Sequence, residues 1–159
     1  MNFQKNLAVW KQLFALISVD EENQSEISNI FSSFKDKISL KEIINTPSPQ
    51  KTGDETMLMW AVWRLKKQTV VELLDFGADP LFVNNVGESV ATYWNFGISS
   101  DENNIDDTKQ KLATEIIDIL HKQKVNFSRG SYLSYGLTKR AKEYKLHIIE
   151  HKLRELGYY

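Results

Sequence analysis

The chain has 159 residues, of which 42% are hydrophobic and 26% charged, a composition typical of a folded domain rather than a disordered segment. Its net charge of -1 argues against nucleic acid as the main ligand, and the absence of cysteine excludes disulfides, thiolate metal sites and cysteine nucleophiles. Because no run approaches the roughly 20 apolar residues of a membrane helix and the N-terminal residues lack a signal-peptide core, we expect a cytoplasmic protein without a membrane partner.

Helical spacing of apolar residues accounts for most of the first half of the chain. Apolar side chains three and four positions apart predict helices at 3–17, from 27 to about 38, at 56–66 and at 69–76. The first 45 residues are therefore interpreted as two amphipathic helices, followed by a loop at 46–54 that holds two of the three prolines. Gly77 lies directly after the last of these helices and suits a left-handed C-terminal cap.

The second half of the chain is predicted to be helical as well. Apolar spacing predicts helices at 89–97, 108–122, 131–143 and 145–156. Residues 98–107 are predicted to form an acidic loop, and Thr108 is expected to cap the helix that follows it. Since no segment shows the alternation of a β-strand, the predicted fold class is all-α.

A repeat with a period of 33 residues stands out in the middle of the chain. Thr56 and Ser89, which are both expected to begin a helix, lie 33 positions apart, and such periods are typical of stacked helical repeats. The stretch resembles the ankyrin repeat, in which T-P-L-H-x-A-A is followed by V-x-x-L-L-x-x-G-A-D and then by D-x-x-G-x-T. The matching residues are Thr56, Leu58, Ala61, Val70, Leu73, Leu74, Gly77, Ala78 and Asp79, with Asn84, Gly87 and Ser89 approximating the third part. Met57 and Met59 replace the proline and histidine of the pattern.

The resemblance implies one all-α domain over residues 1–159, an ankyrin-repeat solenoid of about four stacked antiparallel helix pairs with finger loops. Its parts are N-terminal capping helices at 1–50, the best repeat at 52–85, an expanded repeat at 86–127 and a C-terminal capping repeat at 128–159. In the expanded repeat Trp94 stands where the pattern has a small alanine, and about fifteen extra residues separate the two helices. The expected central layer of the core consists of Leu58, Ala61, Val70, Leu73 and Leu74.

The sequence HIIEH at 147–151 has the H-x-x-E-H order of inverted zinc metallopeptidases. A catalytic zinc needs three protein ligands and a substrate cleft, and His121 is the only other histidine. Helical phase also places His147 and His151 opposite an apolar stripe formed by Leu146, Ile149, Leu153 and Leu156. We interpret the motif as a solvated helix face, and a metal-dependent hydrolase is kept as the alternative function.

Other motifs that would indicate an enzyme or a bound ion are weak. Phosphate-binding G-x-x-x-x-G-K-[ST] and nucleophile-elbow G-x-S-x-G patterns do not occur. Carboxylates in the acidic loop could suggest calcium, but they lack the EF-hand spacing and its glycine: Asp101, Glu102, Asp106 and Asp107. We therefore predict no catalytic residues, no metal, no cofactor and no small-molecule substrate.

Protein binding is the function that the resemblance implies. Ankyrin domains bind proteins through their finger tips and the exposed side of each first helix. The corresponding residues are Asn85, Val86 and Glu88 on the finger, Trp63 and Arg64 on the first helix, Tyr93 and Phe96 in the next unit, and Tyr132 and Tyr135 in the last unit. Trp and Arg are enriched at interface hot spots, although Trp63 could instead cover the core at the edge of the stack. Trp60 is expected in the core.

The predicted function is that of a non-enzymatic protein-interaction module. Lysine supplies 16 of the 20 basic residues, and asparagine and isoleucine are common, which hints at an AT-rich genome such as that of a bacterium. The two candidate roles are an effector delivered into a host cytosol and an inhibitor or immunity-type binder of another protein. A structural scaffold subunit is the further alternative, and it differs from the others only in its partner.

Overall fold

The computed structural model describes residues 3–19, 23–34, 37–48, 54–99, 106–128 and 136–159, apart from the side chains of 3–6, 37–39, 95–97 and 99. Within these ranges the fold is all-α, as predicted, with one isolated antiparallel bridge between Val83 and Ser89. The helices are α1 (Phe3–Ser18), α2 (Gln24–Ser33), α3 (Lys37–Ile44), α4 (Met57–Trp63), α5 (Lys67–Asp75), α6 (Val90–Ser99), α7 (Asp107–Lys122), α8 (Leu137–Glu143) and α9 (His147–Glu155).

The region from 24 to 44 contains two helices where the sequence predicted one, so the interpretation of residues 1–45 as two helices is wrong. Helix α2 ends at Ser33, its C-cap Phe34 has an extended backbone, and α3 follows. Phe31 and Leu40 are both buried, yet they are nine residues apart, which is about two and a half turns of a continuous helix. A continuous helix would place them on opposite faces, and the break lets both reach the core.

Helices α4 and α5 form the best-matched repeat, and their ends are closed by local hydrogen bonds. The hydroxyl of Thr56 accepts a bond from the Met59 N–H at 3.3 Å, which caps α4 as expected. Gly77 follows α5 with φ of 89°, so the predicted left-handed cap is confirmed. The N–H of Ala78 donates to the Leu73 carbonyl at 2.8 Å, as in a Schellman motif.

The same backbone pattern recurs 80 residues later in α8 and α9. Leu65 and Lys145 both have positive φ between the two helices of their pair, and Gly77 and Gly157 both have positive φ after the second helix. The end of α7 is closed in the same way, because Lys124 also has positive φ. Corresponding bonds close each turn, namely Lys66 N–H to Ala61 O at 2.9 Å, Leu146 N–H to Ala141 O at 2.8 Å, Tyr158 N–H to Leu153 O at 2.9 Å and Val125 N–H to Leu120 O at 3.1 Å.

The helices pack as pairs that follow one another. Helix α4 packs against α5, α6 against α7 and α8 against α9. Between pairs, α4 contacts α1 and α6, whereas α5 contacts α2 and α7, and α7 also contacts α9. The predicted central layer lies in this shared core, since Leu58, Ala61, Val70 and Leu73 are buried and Leu74 is partly buried against them. Trp94 is fully buried as well.

Helix α7 begins one residue earlier than expected and has a different cap. The carboxylate of Asp106 accepts a bond from the Thr108 N–H at 2.7 Å, so Asp106 and not Thr108 is the capping residue. This hydrogen bond is also the main reason why the pKa of Asp106 lies below its ordinary value.

Among the described helices, none combines the length and the hydropathy that a membrane span requires.

Candidate protein-binding surface

The finger segment, defined as residues 78–89, joins α5 to α6 and is organised around the side chain of Asn84. Asn84 is only 5% exposed, and its Oδ1 accepts bonds from the N–H groups of Val86 at 3.2 Å and Glu88 at 2.7 Å. The Asn84 N–H donates to the Glu88 carbonyl at 2.9 Å, and Gly87 supplies a positive φ of 81°. The tip therefore has a fixed backbone conformation.

Tyr93 on α6 supports this turn from the inside. Its hydroxyl accepts a bond from Asn84 Nδ2 at 3.3 Å and donates one to a carboxylate oxygen of Glu88 at 3.2 Å. Burial, together with the negative charge of Glu88, raises the pKa of Tyr93 far above its ordinary value, so the phenol remains a donor. Tyr93 is only 2% exposed, and its predicted place on the exposed aromatic surface is wrong because α6 packs against α4.

Three aliphatic side chains are exposed on the finger segment. Leu81 is 58% exposed, Val83 is 55% exposed and Val86 is 39% exposed. Asn85 is exposed and Glu88 is half-buried, so the residues predicted for the finger tip lie on or near its surface. Sequence reasoning missed Leu81 and Val83. The available signal was their position two residues apart on either side of Phe82, because alternate side chains of an extended segment point to the same side.

The base of the finger segment is tied to Asn45, the residue that follows α3. Asn45 Oδ1 accepts a bond from the Asp79 N–H at 2.7 Å, and Asn45 Nδ2 donates to the Gly77 carbonyl at 2.9 Å. An open groove of about 480 Å³ lies here, and it is lined by Lys41, Asn45, Gly77, Ala78, Asp79, Pro80 and Phe82. The finger segment is thus fixed at its base by Asn45 and at its tip by α6.

A row of aromatic side chains crosses the first helices beside the finger segment. The rings of Trp60 and Trp63 stack with centroids 4.7 Å apart, and Phe14 meets Trp60 edge-on at 5.4 Å. Trp10 stacks on Phe14 at 4.8 Å, and Trp63 meets Tyr93 at 6.4 Å. The row therefore joins α1, α4 and α6. Sequence reasoning missed Trp10 and Phe14, although their spacing of four residues places them on one face of α1.

Trp63 is half-buried, so it covers the core as one of the two interpretations of the sequence had it, and its contact with a partner stays a prediction. It packs against the hydrophobic core and retains an exposed portion. Arg64 is half-buried too, and its guanidinium lies 5.9 Å from the Trp60 ring centroid and 5.6 Å from that of Trp63, within cation–π range. Trp60 is also half-buried rather than fully in the core, and its Nε1 is buried with no hydrogen-bond partner in the described part of the chain.

Several predicted site residues lie outside what the structure describes. These are Tyr132 and Tyr135 of the last unit and the side chain of Phe96 on α6. Among the described ones, Trp63 is linked to the finger segment through Tyr93, whose ring it meets at 6.4 Å and whose hydroxyl bonds to Asn84 and Glu88, and Arg64 lies over the Trp63 ring. The contribution of the last unit to partner binding stays a prediction.

The HIIEH motif lies on α9 as predicted. His147 and His151 are exposed, whereas Ile149 and Leu153 are buried in the core. Glu150 is bonded to Arg154, whose Nε and Nη2 donate to one carboxylate oxygen at 3.1 and 3.0 Å. In the ranges that the structure describes, no three metal-binding side chains come together around these histidines or elsewhere.

Neither the protein-family models nor the curated proteins compared with this chain gave a match. The function of the surface must therefore be inferred from the chain's own residues. The most informative of these are the exposed aliphatic side chains of the finger segment and the half-buried Trp63 and Arg64 of the α4 end.

Proposed function

We propose that the protein binds another protein through its finger segment and the adjoining face of α4. The observation that carries this proposal is the exposure of Leu81, Val83 and Val86 on a loop whose backbone is held by buried Asn84. Exposed apolar clusters on a protein surface mark interaction sites, and a fixed loop loses less conformational entropy on binding than a mobile one.

The fold proposed for this function is an ankyrin-repeat solenoid. Its support is the 33-residue period from Thr56 to Ser89, together with the helix ends that are closed alike after α5, α7 and α9. The succession of contacts α1–α4–α6 and α2–α5–α7–α9 also fits helix pairs stacked side by side. In such a stack each pair buries its apolar face against its neighbours.

The role proposed for the binder is that of a bacterial effector or of an inhibitor or immunity-type protein that acts on a target protein. A scaffold subunit would use the same surface with a different partner. In each of these roles the finger segment is the contact surface, and the chain itself performs no chemistry.

The proposed contact can be tested with two double variants used as bait in the native cell. We expect Leu81→Ser with Val83→Ser to weaken partner binding at least tenfold, about 1.4 kcal/mol. Trp63→Ala with Arg64→Ala should weaken binding by the same factor, once circular dichroism has shown that the variant is folded. The matched control is His147→Ala with His151→Ala, which changes exposed side chains on α9. Mass spectrometry identifies the partner, and calorimetry with the purified partner measures its affinity.

The outcome that contradicts the proposal is a partner that binds the finger variant and the α9 control with equal affinity. Loss of binding in the α9 variant alone would assign the contact surface to α9 instead of the finger segment.

A further inference from the structure

The charged residues that precede and follow the exposed aliphatic side chains in the sequence are all acidic. Residues 68–108 contain eight acidic side chains and no lysine, arginine or histidine. Of these acidic residues, Asp75 and Asp79 are exposed just before Leu81, and half-buried Glu88 follows Val86. The apolar part of the finger segment is thus bounded by carboxylates on both sides.

The remainder of the chain has the opposite bias, which the net charge of -1 conceals. Residues 109–159 contain eleven lysine and arginine residues against five acidic residues, while residues 1–67 contain nine against eight. Among the described residues that line the groove of about 480 Å³ at the base of the finger segment, Lys41 is the one cation, and its aliphatic stem lies against Gly77. Lys41 and Arg64, whose guanidinium lies over the Trp60 and Trp63 rings, are outnumbered by the three carboxylates of the described finger segment and the end of α5, which are Asp75, Asp79 and Glu88.

We propose that the finger segment docks a basic partner: a protein segment that presents aliphatic side chains flanked by lysine or arginine. This inference rests on the proposed function and adds the chemistry of the partner to it. A second copy of the chain is the other occupant with basic residues, offered by its last unit. A contact between finger and last unit would be heterologous and would assemble copies into a ring or an open chain, whereas a separate partner requires no such assembly, so we assign the surface to a different protein.

Two forces with different ranges would act at such a contact. Aliphatic side chains placed against Leu81 and Val83 gain roughly 25 cal/mol for each Å² of apolar surface removed from water. Exposed ion pairs add little each, but the summed field of the carboxylates accelerates encounter and orients a basic segment. Because salt screens such charges over roughly 10 Å at 0.1 M, binding should weaken as ionic strength rises.

Three synthetic amphipathic peptides of equal length provide the test. One carries leucine and lysine, the second replaces lysine by glutamate, and the third keeps lysine but replaces leucine by serine. We expect the wild-type protein to bind the leucine–lysine peptide at least tenfold more tightly than either of the others, as measured by fluorescence anisotropy. The preference over the glutamate peptide should shrink when salt is raised, whereas the requirement for leucine should remain.

Two sets of variants with equal change in charge separate local from general attraction. The finger set is Asp75→Asn, Asp79→Asn and Glu88→Gln, in which an amide oxygen is retained for the bonds to Leu81 N–H and Tyr93 OH. The control set is Glu26→Gln, Glu143→Gln and Glu155→Gln, all at exposed positions. The finger set should weaken binding of the leucine–lysine peptide at least tenfold, and the control set less than twofold.

Equal losses in the two sets would mean general attraction to an acidic protein and would overturn the inference. If the glutamate peptide binds as tightly as the lysine peptide and Leu81→Ser with Val83→Ser weakens both, the inference fails while the proposed function stands. If Leu81→Ser with Val83→Ser changes the binding of no peptide and does not weaken binding of the native partner, both the inference and the proposed function fail. Self-association that is seen by sedimentation and abolished by the finger set would identify a second copy as the occupant and would overturn the basic-partner assignment.

Discussion

Asn84 is the residue on which the conformation of the finger segment depends most. A buried amide is costly unless its donors and acceptor are used, and Asn84 bonds to backbone on one side and to Tyr93 on the other. This arrangement explains why an exposed loop between two short helices can hold apolar side chains in fixed positions. It also gives Tyr93 a supporting function at the surface although its own side chain is buried.

Tyr93 gives the protein a pH dependence that can be measured. Its folded-state pKa is raised above the ordinary value of 10.0, chiefly by burial, so the folded state keeps the proton that the unfolded state releases. The corresponding stability is fully present below about pH 10 and is lost as pH rises above that value. Chemical denaturation between about pH 10 and 12 should therefore show that the unfolding free energy of the wild type declines as pH rises. In Tyr93→Phe this decline should be less steep, by about 1.4 kcal/mol per pH unit.

Identical slopes in the wild type and in Tyr93→Phe would show that the phenol titrates alike in the folded and unfolded chains. The substitution also removes the bonds to Asn84 and Glu88, so the variant should be less stable at neutral pH. The change of slope is independent of that offset.

At the level of helices and their connections, local signals were sufficient for some features and insufficient for others. The cap at Thr56 and the left-handed Gly77 follow from local backbone chemistry and could be predicted. The break at Phe34 and the burial of Tyr93 depend on which helices pack together, and periodicity along one segment contains no such information. Leu65, Lys124 and Lys145 have positive φ without being glycine, so the turns that contain them had no residue-type signal.

Gly77 and Gly157 end corresponding helices and form a matched pair for mutation. Both have φ near 90°, so alanine at either position should cost about 1–2 kcal/mol of unfolding free energy from backbone strain. At Gly77 a new Cβ would lie 3.0 Å from Lys41 Cδ, whereas at Gly157 no described residue beyond its two chain neighbours has an atom within 4 Å. Urea denaturation should show both losses, with the larger at Gly77. A loss below roughly 0.5 kcal/mol at both positions would contradict the assigned cap conformations.

Across the whole molecule, the two sides of the helix stack have different chemistry. The aromatic row lies on α1, α4 and α6, which are the first helices of their pairs. Polar side chains connect the second helices, which are α2, α5, α7 and α9. Glu72 accepts bonds from Ser28 Oγ at 2.7 Å and Gln24 Nε2 at 3.1 Å, and ion pairs join Lys67 to Glu115 at 2.7 Å and Lys152 to Asp118 at 3.3 Å. Exposed ion pairs contribute at most about 1 kcal/mol each, so the apolar core supplies most of the stability.

The metal content of the purified protein tests the alternative reading of HIIEH. We expect zinc well below one equivalent per chain by elemental analysis, with no change in His147→Ala combined with His151→Ala. Both side chains are exposed, so the double variant should keep its melting temperature and its helical circular dichroism. Stoichiometric zinc that disappears in the double variant would favour a metal site on α9.

The internal bonding of the finger segment also determines how the surface can diversify. Asn84, Gly87 and Tyr93 hold the turn through backbone groups and the Glu88 carboxylate, and none of the bonds described there uses the side chain at 81, 83, 85 or 86. Substitutions at those four positions can therefore accumulate without loss of the loop conformation. Homologues that meet different targets are expected to vary at these four positions and to keep the asparagine, the glycine and the tyrosine. A library randomised at the same four positions would sample new specificities on an unchanged scaffold.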